Sequence, residues 1–412
     1  MMHGKLTLMG IAVALWACQP GQGTPQPATR PGIDVLLTDS MHLVTGRRVG
    51  LVTNQAGVDA SGISNVDRLV AAGIDLTALF SPEHGFRGAA PPGAPIDHTV
   101  DSATGLPIYS LYGAVSSPSR TMLESVDVMV VDLQDAGARY YTYLATSVDV
   151  LRAAGAAGIP VIVLDRPNPI GGPVEGNVLD PAHASAVGLL EVPMRHGMTL
   201  GELVRLAQAD LGIEADLTVV PVEGWNRSRY FDETGLPFVR PSPNLPTVES
   251  LIHYPGLCLF EGTALSVGRG SDAPFEQIGA PWLDTAAVLG ALGPARAPGV
   301  SIRAVQFRPE APGDGKFADT LLAGLRLSVT DRDAYDPVAT AVALLTAIAS
   351  VHPDAMGWRG AHFDRLAGGP ELRRAILAAQ TPREIMRDWP GELARFRDRV
   401  TPMLLYPGFS RR

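Results

Sequence analysis

Short apolar segments alternate with amphipathic segments from residue 48 onward, and this alternation constrains the fold more than any other feature of the chain. Strand-length apolar runs lie at residues 49–53, 76–80, 107–109, 126–131, 160–164 and 217–220. Segments with a helical pattern lie at residues 65–72, 120–125, 141–157 and 199–211. Thr199 and Glu202 are the residue types of a capping box at the start of the last segment. The pattern predicts an α/β fold with a Rossmann-like, mainly parallel, doubly wound sheet.

Two domains are expected because 412 residues exceed what one ordinary hydrophobic core organises. A rigid passage rich in proline, at residues 241–246, marks the predicted boundary. We predict a Rossmann-like catalytic domain over residues 33–245 and a smaller α/β domain over residues 246–412. The second half contains strand patterns near 301–305 and 324–329, a helix over 336–351 and short helices after it.

The N-terminus has the features of an export signal. Lys5 precedes an apolar run that is too short to span a bilayer permanently, and residues 15–18, Leu-Trp-Ala-Cys, resemble a bacterial lipobox. We predict a lipoprotein-type signal peptide over residues 1–18, lipidation of Cys18, a flexible tether over residues 19–32, and a periplasmic or cell-envelope location. Trp16 departs from the lipobox pattern, so an ordinary secretory peptide with an incidental cysteine is the alternative. Cys258, the second cysteine, is predicted to be a buried structural thiol.

Charge and motifs argue against several classes of protein. The net charge is −9 and Lys and Arg form no cluster, which argues against a nucleic-acid partner. The chain has no HExxH motif or other compact metal-ligand set, and no GxSxG motif of a serine hydrolase. Gly268-Arg269-Gly270 is followed at once by Pro274, so it does not open the helix of a dinucleotide-binding unit. We therefore expect neither a metal nor a cofactor.

Polar residues collect where the predicted strands end. Asn54 follows the first strand, residues 81–88 the second, residues 132–141 the fourth and residues 165–169 the fifth. Carboxyl ends of parallel strands share one edge of a sheet, and ligands of open α/β sheets bind there. One polar loop carries little information, but four in succession predict a site at this edge.

Glu83 is the leading candidate for proton transfer at this edge. Pro82 restricts the backbone before it, and Gly85 permits a tight turn that aims the carboxylate at a ligand. His84 is predicted to orient this carboxylate or to bind substrate. The alternative is that Glu83 only caps a helix or stabilises the turn.

A second carboxylate within reach of the same edge is Asp135, which we predict to be catalytic or to orient substrate. Asp132 is predicted instead to accept hydrogen bonds at the end of its strand. Arg139 and Tyr140 offer a cation and an aromatic face, which suit a carboxylate and a sugar ring. The tyrosines within residues 141–143 either extend this aromatic surface or begin a buried helix.

Six blocks of residues together resemble the signature blocks of the NamZ-type exo-β-N-acetylmuramidases, in the family's order and over about residues 35 to 410. The blocks are Asn54-Gln55-Ala56-Gly57, Ser81-Pro82-Glu83-His84-Gly85-Phe86-Arg87-Gly88, Asp132-Leu133-Gln134-Asp135, Asp165-Arg166-Pro167-Asn168-Pro169, Glu261-Gly262-Thr263 and Gly268-Arg269-Gly270. The resemblance implies a Rossmann-like domain, a smaller second domain and a cleft between them. It also implies release of terminal N-acetylmuramic acid (MurNAc) from the non-reducing ends of peptidoglycan fragments such as MurNAc-GlcNAc.

Positions within these blocks imply roles for particular residues. Glu83 lies in the family's acidic turn and is expected to be the general acid/base. The residues expected to line the substrate pocket are Asn54, His84, Gln134, Arg139, Arg166, Asn168, Glu261 and Arg269, with Tyr140 as an aromatic face. An arginine fork binds a carboxylate such as the lactyl group of MurNAc, and Arg139, Arg166 and Arg269 are all candidates for it. Retaining, inverting and substrate-assisted routes all remain open.

Two rival functions belong to other classes. A non-catalytic saccharide-binding lipoprotein of the cell envelope would also have two α/β domains, a cleft and a lipid anchor. A nucleotide-dependent oxidoreductase would use a similar sheet, but the missing glycine fingerprint argues against it.

Overall fold

The computed structural model describes Met1 and residues 28–409, except residues 92, 95 and 294–296. Its strands are β1 (Arg48–Thr53), β2 (Asp75–Ser81), β3 (Thr99–Val100), β4 (Pro107–Ser110), β5 (Val128–Asp132), β6 (Val161–Leu164), β7 (Glu175–Val178), β8 (Pro193–Arg195), β9 (Leu217–Val220), β10 (Gln277–Ala280), β11 (Val300–Phe307) and β12 (Leu322–Val329). Its α-helices are α1 (Gly32–Asp39), α2 (Asn65–Ala71), α3 (Arg120–Leu123), α4 (Tyr143–Ala156), α5 (Leu200–Asp210), α6 (Val248–Leu257), α7 (Thr285–Leu292), α8 (Pro337–Val351), α9 (Gly360–Ala367), α10 (Glu371–Leu377), α11 (Pro382–Ile385) and α12 (Trp389–Val400).

A seven-stranded sheet in the order β3-β4-β2-β1-β5-β6-β9 organises the first half of the chain. All of its neighbouring strands pair in parallel except β3, which runs antiparallel to β4 at the edge. In the second half, β10, β12 and β11 form a smaller antiparallel sheet accompanied by helices. The predicted α/β fold, with a mainly parallel sheet and a second, smaller domain, is confirmed.

Both faces of the large sheet are covered, which is why its strands are apolar throughout. Met129 and Val131 of β5 pack into a core shared with α4 and α5, whereas Val128 and Val130 pack into a second core with α1 and α2. All four side chains are fully buried. Successive side chains of a strand point to opposite faces, so alternate residues of β5 enter two different cores. This is the arrangement expected of a doubly wound sheet with helices on both faces.

Two helix starts show how local signals and tertiary contacts compete. The predicted capping box of α5 is confirmed, since Thr199 accepts from Glu202 N and Glu202 accepts from Thr199 N. In contrast, α4 begins at Tyr143 rather than at the predicted residue 141. The Thr142 hydroxyl does not cap α4 but donates to the Glu83 carboxylate at 2.8 Å, so this turn belongs to a polar site and not to the helix.

The described chain packs against the domain from Thr29 onward. Thr29 and Gly32 are buried, and Gly32 N donates to the carbonyl of Asp165 at 2.8 Å. Residues 29–32 of the segment predicted as a tether are therefore part of the domain. The predicted signal peptide and Cys18 lie outside the described residues. Within the part that the structure describes, no helix has both the length and the apolar character needed to cross a bilayer.

Candidate active site

A cavity of about 180 Å³ lies where the carboxyl ends of β2, β4 and β5 meet elements of the second half of the chain. Its lining residues on the side of the large sheet are Glu83, His84, Tyr112, Tyr140, Tyr141, Thr142 and Val187. The residues that close it from the other side are Ser242, Leu245, Tyr254, Cys258, Glu261, Arg269, Phe275, His362 and Leu366. This is the edge at which open α/β sheets bind ligands.

A larger open groove, of about 970 Å³, lies between α8 and α11. The one carboxylate in its lining, Glu384, caps α11 by accepting from Thr381 N at 2.8 Å. The smaller cavity instead brings together carboxylates, a guanidinium, imidazoles and phenols, so it is the better candidate for chemistry.

Glu83 enters the cavity from a constrained turn after β2. His84 and Gly85 both have left-handed backbone angles, with φ of 70° and 76°, which are costly for a residue other than glycine and cluster at functional sites. The Glu83 Oε2 atom accepts from the Thr142 hydroxyl at 2.8 Å, and Oε1 accepts from Gly93 N at 3.1 Å. Burial, and then the neighbouring Glu83 carboxylate, raise the pKa of Tyr112 to about 12, so this phenol stays protonated beside the carboxylate.

His84 supports this turn rather than supplying a proton. Its Nδ1 lies 2.9 Å from the carbonyl of Ala90, so Nδ1 carries the hydrogen, and its Nε2 accepts from the Ser242 hydroxyl at 3.1 Å. Burial lowers the pKa of His84 below its ordinary value, although Ala90 and Glu83 oppose the shift. The ring is therefore neutral at neutral pH, with both nitrogens engaged.

Glu261 and Arg269 form an ion pair on the opposite wall. Arg269 Nε and Nη2 lie 2.6 and 2.5 Å from Glu261 Oε1, and the guanidinium lies 5.1 Å from the centre of the Phe275 ring. Arg269 Nη1 is buried and has no hydrogen-bond partner among the described residues. Glu261 Oε2 receives only a weak contact, from the Cys258 thiol at 3.7 Å. The wall thus contains a guanidinium donor without a partner among the described residues and a carboxylate oxygen whose recorded contact is the Cys258 thiol.

Family models of known proteins match nearly the whole described chain. Residues 49–249 match the N-terminal domain model of the exo-β-N-acetylmuramidase NamZ, and residues 252–406 match its C-terminal domain model. This chain belongs to the NamZ family. The peptidoglycan β-N-acetylmuramidase NamZ of Bacillus subtilis (strain 168) is 42% identical over 409 residues, which cover 98% of this chain and 97% of that protein.

Two crystal structures of DUF1343 family proteins from Bacteroides fragilis NCTC 9343 have the same fold. They superimpose with TM-scores of 0.84 and 0.76, at 32% and 29% sequence identity. Each comparison covers 93% of this chain and 100% of the other. The resemblance seen in the sequence blocks therefore holds over both halves of the chain.

Five of the residues predicted for the site line the cavity of this NamZ-family chain. They are Glu83, His84, Tyr140, Glu261 and Arg269. Tyr140 is anchored there because its hydroxyl donates to the carbonyl of Pro255 at 2.9 Å. The other six predicted residues do not belong to the lining: Asn54, Gln134, Asp135, Arg139, Arg166 and Asn168. All six are buried and hydrogen-bonded.

Asp135 is occupied within its own turn instead of facing the cavity lining. Its Oδ2 accepts from Gly137 N at 2.6 Å and lies 3.4 Å from His196 Nε2. Gln134 donates to the carbonyls of Asp135 and Pro167, and so joins the loops that follow β5 and β6. These contacts support a role for Asp135 in shaping the turn, and the catalytic role predicted for it has no support from its position.

The guanidinium groups of Arg139 and Arg166 make hydrogen bonds inside the protein, although Arg139 Nε has no partner among the described residues. Arg139 donates to the carbonyls of Asn177, Val192 and Leu366, each at 3.0 Å, and burial lowers its pKa to about 10. Arg166 pairs with Asp132 through two hydrogen bonds, of 2.6 and 3.0 Å. A buried charge that gave up such partners would lose more than a new ligand returns, so neither arginine is placed to bind substrate.

Asn54 and Asn168 also hold loops. Asn54 donates to the Tyr143 hydroxyl at 2.7 Å, and Tyr143 in turn donates to the carbonyl of Pro241. Asn168 donates to the carbonyl of Met198 at 2.9 Å. The signature blocks therefore combine residues of the cavity with residues that support its walls.

The predicted site lacked several residues of the cavity. A sequence rule could have identified some of them but not others. Tyr112 follows the carboxyl end of β4, so the rule that identified Glu83 also identifies Tyr112. Ser242 lies in the passage that we interpreted only as a boundary. His362 comes from α9, far along the chain, and no local pattern distinguishes it.

Proposed function

We propose that this chain is an exo-acting glycoside hydrolase that releases terminal MurNAc from the non-reducing ends of peptidoglycan fragments. One observation beyond family membership carries the proposal. Within a single cavity, a carboxylate on a constrained turn, Glu83, is combined with a buried guanidinium that retains an unused donor, Arg269. Cleavage of a MurNAc glycoside needs a proton donor at the leaving oxygen and a cation for the lactyl carboxylate.

The aromatic lining of the cavity supports binding of a sugar. Tyr140, Tyr141 and Tyr254 in its lining supply the aromatic surface that a sugar ring packs against.

Glu83 is the general acid in this proposal. Donation from Thr142 and Gly93 restricts the carboxyl group to one orientation, and the turn at His84 keeps its backbone in place. In the first step Glu83, in its acid form, gives its proton to the leaving oxygen as the bond between that oxygen and the anomeric carbon breaks. The resulting carboxylate can then take a proton from the water molecule whose oxygen bonds to the anomeric carbon. Such preorganisation of a proton donor is what general acid catalysis requires.

Glu261 replaces Asp135 as the candidate for the second carboxylate. It is the other carboxylate in the cavity lining, while Asp135 lies outside it. One of its oxygens, Oε1, holds Arg269, and the other, Oε2, is open to a water molecule or to the sugar. The alternative is that Glu261 only orients Arg269 and that the acetamido group of MurNAc assists cleavage.

The products of a time course test the activity itself. We expect the purified protein to convert MurNAc-GlcNAc to free MurNAc and GlcNAc, and to remove one MurNAc at a time from longer fragments. Mass spectrometry of samples taken at intervals distinguishes this pattern from internal cleavage. GlcNAc-MurNAc, with GlcNAc at the non-reducing end, serves as the control and should remain intact. Saturable binding without any product would favour the saccharide-binding lipoprotein instead.

Export and lipid attachment at Cys18 are a separate part of the proposal. The apolar run that ends at Cys18 supports them, as does the substrate, which lies outside the cytoplasmic membrane in intact cell walls. Cells fed a labelled fatty acid should incorporate the label into the wild-type protein but not into Cys18→Ala. Equal labelling of both, or of neither, would contradict an anchor at this residue.

A further inference from the structure

Lys316 lies in a cage of backbone carbonyl groups directly behind the Glu261–Arg269 wall. Its ammonium nitrogen donates to the carbonyls of Thr263 and Leu265, each at 2.8 Å, and to that of Glu261 at 3.2 Å. The carbonyl of Phe260 lies 3.5 Å away. Lys316 is buried, with only 8% of its surface exposed. A charged side chain is seldom buried to this degree unless its donors are satisfied, as they are here.

Lysine is rare in this chain, and its chemistry fits the cage. Of the 33 basic residues, only Lys5 and Lys316 are lysines, and all others are arginines. A compact ammonium with three rotatable donors fits a cage of converging carbonyls, whereas a planar guanidinium is larger and directs its donors in a fixed fork. An arginine at this position would therefore not reproduce the contacts.

Lys316 belongs to the connection between β11 and β12 (residues 308–321). The same connection also contacts the backbone next to Arg269, the second member of the ion pair. Glu310 N donates to the carbonyl of Gly270 at 2.6 Å, next to Arg269. The connection thus contacts the backbone beside Glu261 through Lys316 and the backbone beside Arg269 through Glu310. Loops longer than about 12–15 residues without secondary structure are uncommon and usually functional, and this connection approaches that length.

The backbone of this connection is strained. Ala311, Phe317 and Asp319 have φ angles of 44°, 56° and 55°, in the left-handed region that favours glycine. Such residues persist only where the surroundings over-determine them, and they cluster at functional sites. Internal bonds, such as that from Asp319 N to the carbonyl of Pro309 at 2.9 Å, keep the strained conformation.

We propose that Lys316 is a positioning residue, whose ammonium group fixes the backbone of residues 260–265 so that Glu261 holds Arg269 against the terminal sugar. The inference rests on the proposed function, because it specifies how one wall of the same cavity is held in position next to the substrate. Lys316 is not among the residues that line the cavity. Burial lowers its pKa to about 8, while Asp314 and Glu261 favour the charged form, so the ammonium is charged at neutral pH.

Steady-state kinetics with MurNAc-GlcNAc test this role in three variants. Lys316→Met keeps the aliphatic stem without the charge, Lys316→Arg keeps the charge without the geometry, and Lys316→Ala opens the cage. We expect each to raise KM about 10- to 100-fold with a change in kcat below about threefold, because a misplaced Arg269 weakens binding of the sugar in the ground state and the transition state alike. Arg303→Met, at an exposed position of β11, is the matched control for loss of one charge and should keep the wild-type KM.

Chemical rescue separates positioning from general stability. Ammonium chloride should lower the KM of Lys316→Ala, since a free ammonium ion can donate to the same carbonyls, whereas tetramethylammonium chloride at equal ionic strength has no N–H donor and should not. A thermal unfolding curve for each variant identifies any that fail to fold. If Lys316→Met and Lys316→Ala do not fold, the KM of Lys316→Arg, which keeps the charge, decides the question. A wild-type KM in folded variants would overturn the inference, and so would equal rescue by both salts. A wild-type protein that releases no MurNAc would overturn the proposed function instead.

Discussion

Replacement of Glu83 by glutamine should reduce release of MurNAc from MurNAc-GlcNAc by about 10³–10⁴-fold, nearly all of it in kcat. The amide has the shape of the carboxyl group and can still accept from Gly93 N, so the turn at His84 is expected to keep its structure. What the variant lacks is a proton that it can give to the leaving oxygen. Measurement of kcat and KM on the disaccharide is sufficient, because KM should change little.

Glu214→Gln is the control for this substitution, since Glu214 is exposed and lies after α5, away from the cavity. It should retain the wild-type kcat. If the kcat of Glu83→Gln were within about threefold of the wild-type kcat, Glu83 could not be the general acid. Removal of such a group typically lowers the rate by a factor of about 10²–10⁴. The turn would then have only the structural role considered as its alternative.

Glu261→Gln in the same assay shows whether Glu261 acts on the sugar or only on Arg269. A loss in kcat comparable with that of Glu83→Gln is expected if Glu261 Oε2 serves as the second carboxylate. A change confined to KM would assign Glu261 to orientation of Arg269, with the acetamido group of MurNAc as the assisting group.

Replacement of Arg269 by methionine should abolish the preference of the cavity for MurNAc over GlcNAc. The two sugars differ by the lactyl group, and Arg269 is the arginine in the cavity lining, with its Nη1 atom unpartnered among the described residues. Truncating one partner of a buried, hydrogen-bonded charge pair typically costs about 2–5 kcal/mol, so the Kd for free MurNAc should rise by about 30-fold or more. The Kd for GlcNAc, which has no carboxylate, should change by less than about threefold.

Titration calorimetry with the two monosaccharides measures this directly and needs no turnover. Arg326→Met is the matched control, because Arg326 pairs with Asp272 at 2.7 Å outside the cavity lining and should leave both affinities unchanged. Equal weakening of MurNAc and GlcNAc binding in Arg269→Met would argue against recognition of the lactyl carboxylate. It would indicate instead that loss of the partner of Glu261 disturbs the whole wall.

The sequence alone predicted six of the seven strands of the large sheet to within a few residues, because apolar runs bounded by polar turns are a local property. It missed the two-residue edge strand β3, whose side chains are both exposed. The polar residues after β2 were located at the correct edge for the same reason, since strand direction in a parallel sheet places every carboxyl end together. One helix start was predicted two residues too early, since α4 begins at Tyr143 and not at residue 141. The hydroxyl of Thr142, the residue before it, does not cap the helix and donates to Glu83, a contact that no local pattern shows.

The six signature blocks were correctly associated with one family, but they did not distinguish cavity residues from supporting residues. Arg139, Arg166 and Arg269 are chemically identical in the sequence, and each lies near a glycine or an acidic residue. Their roles separate only through partners that are distant along the chain: the carbonyl of Leu366 for Arg139 and the carboxylate of Asp132 for Arg166.

The sequence by itself determined the α/β architecture, the edge at which the site lies and the turn that carries Glu83, because periodicity and turn chemistry act over a few residues. The tertiary structure decided which side chains line the cavity. Only the folded chain shows that Arg139 and Arg166 pair with carbonyl and carboxylate groups outside the cavity lining, whereas Arg269 pairs with Glu261 within it. It also decided that the chain's second lysine lies behind the wall that holds Arg269.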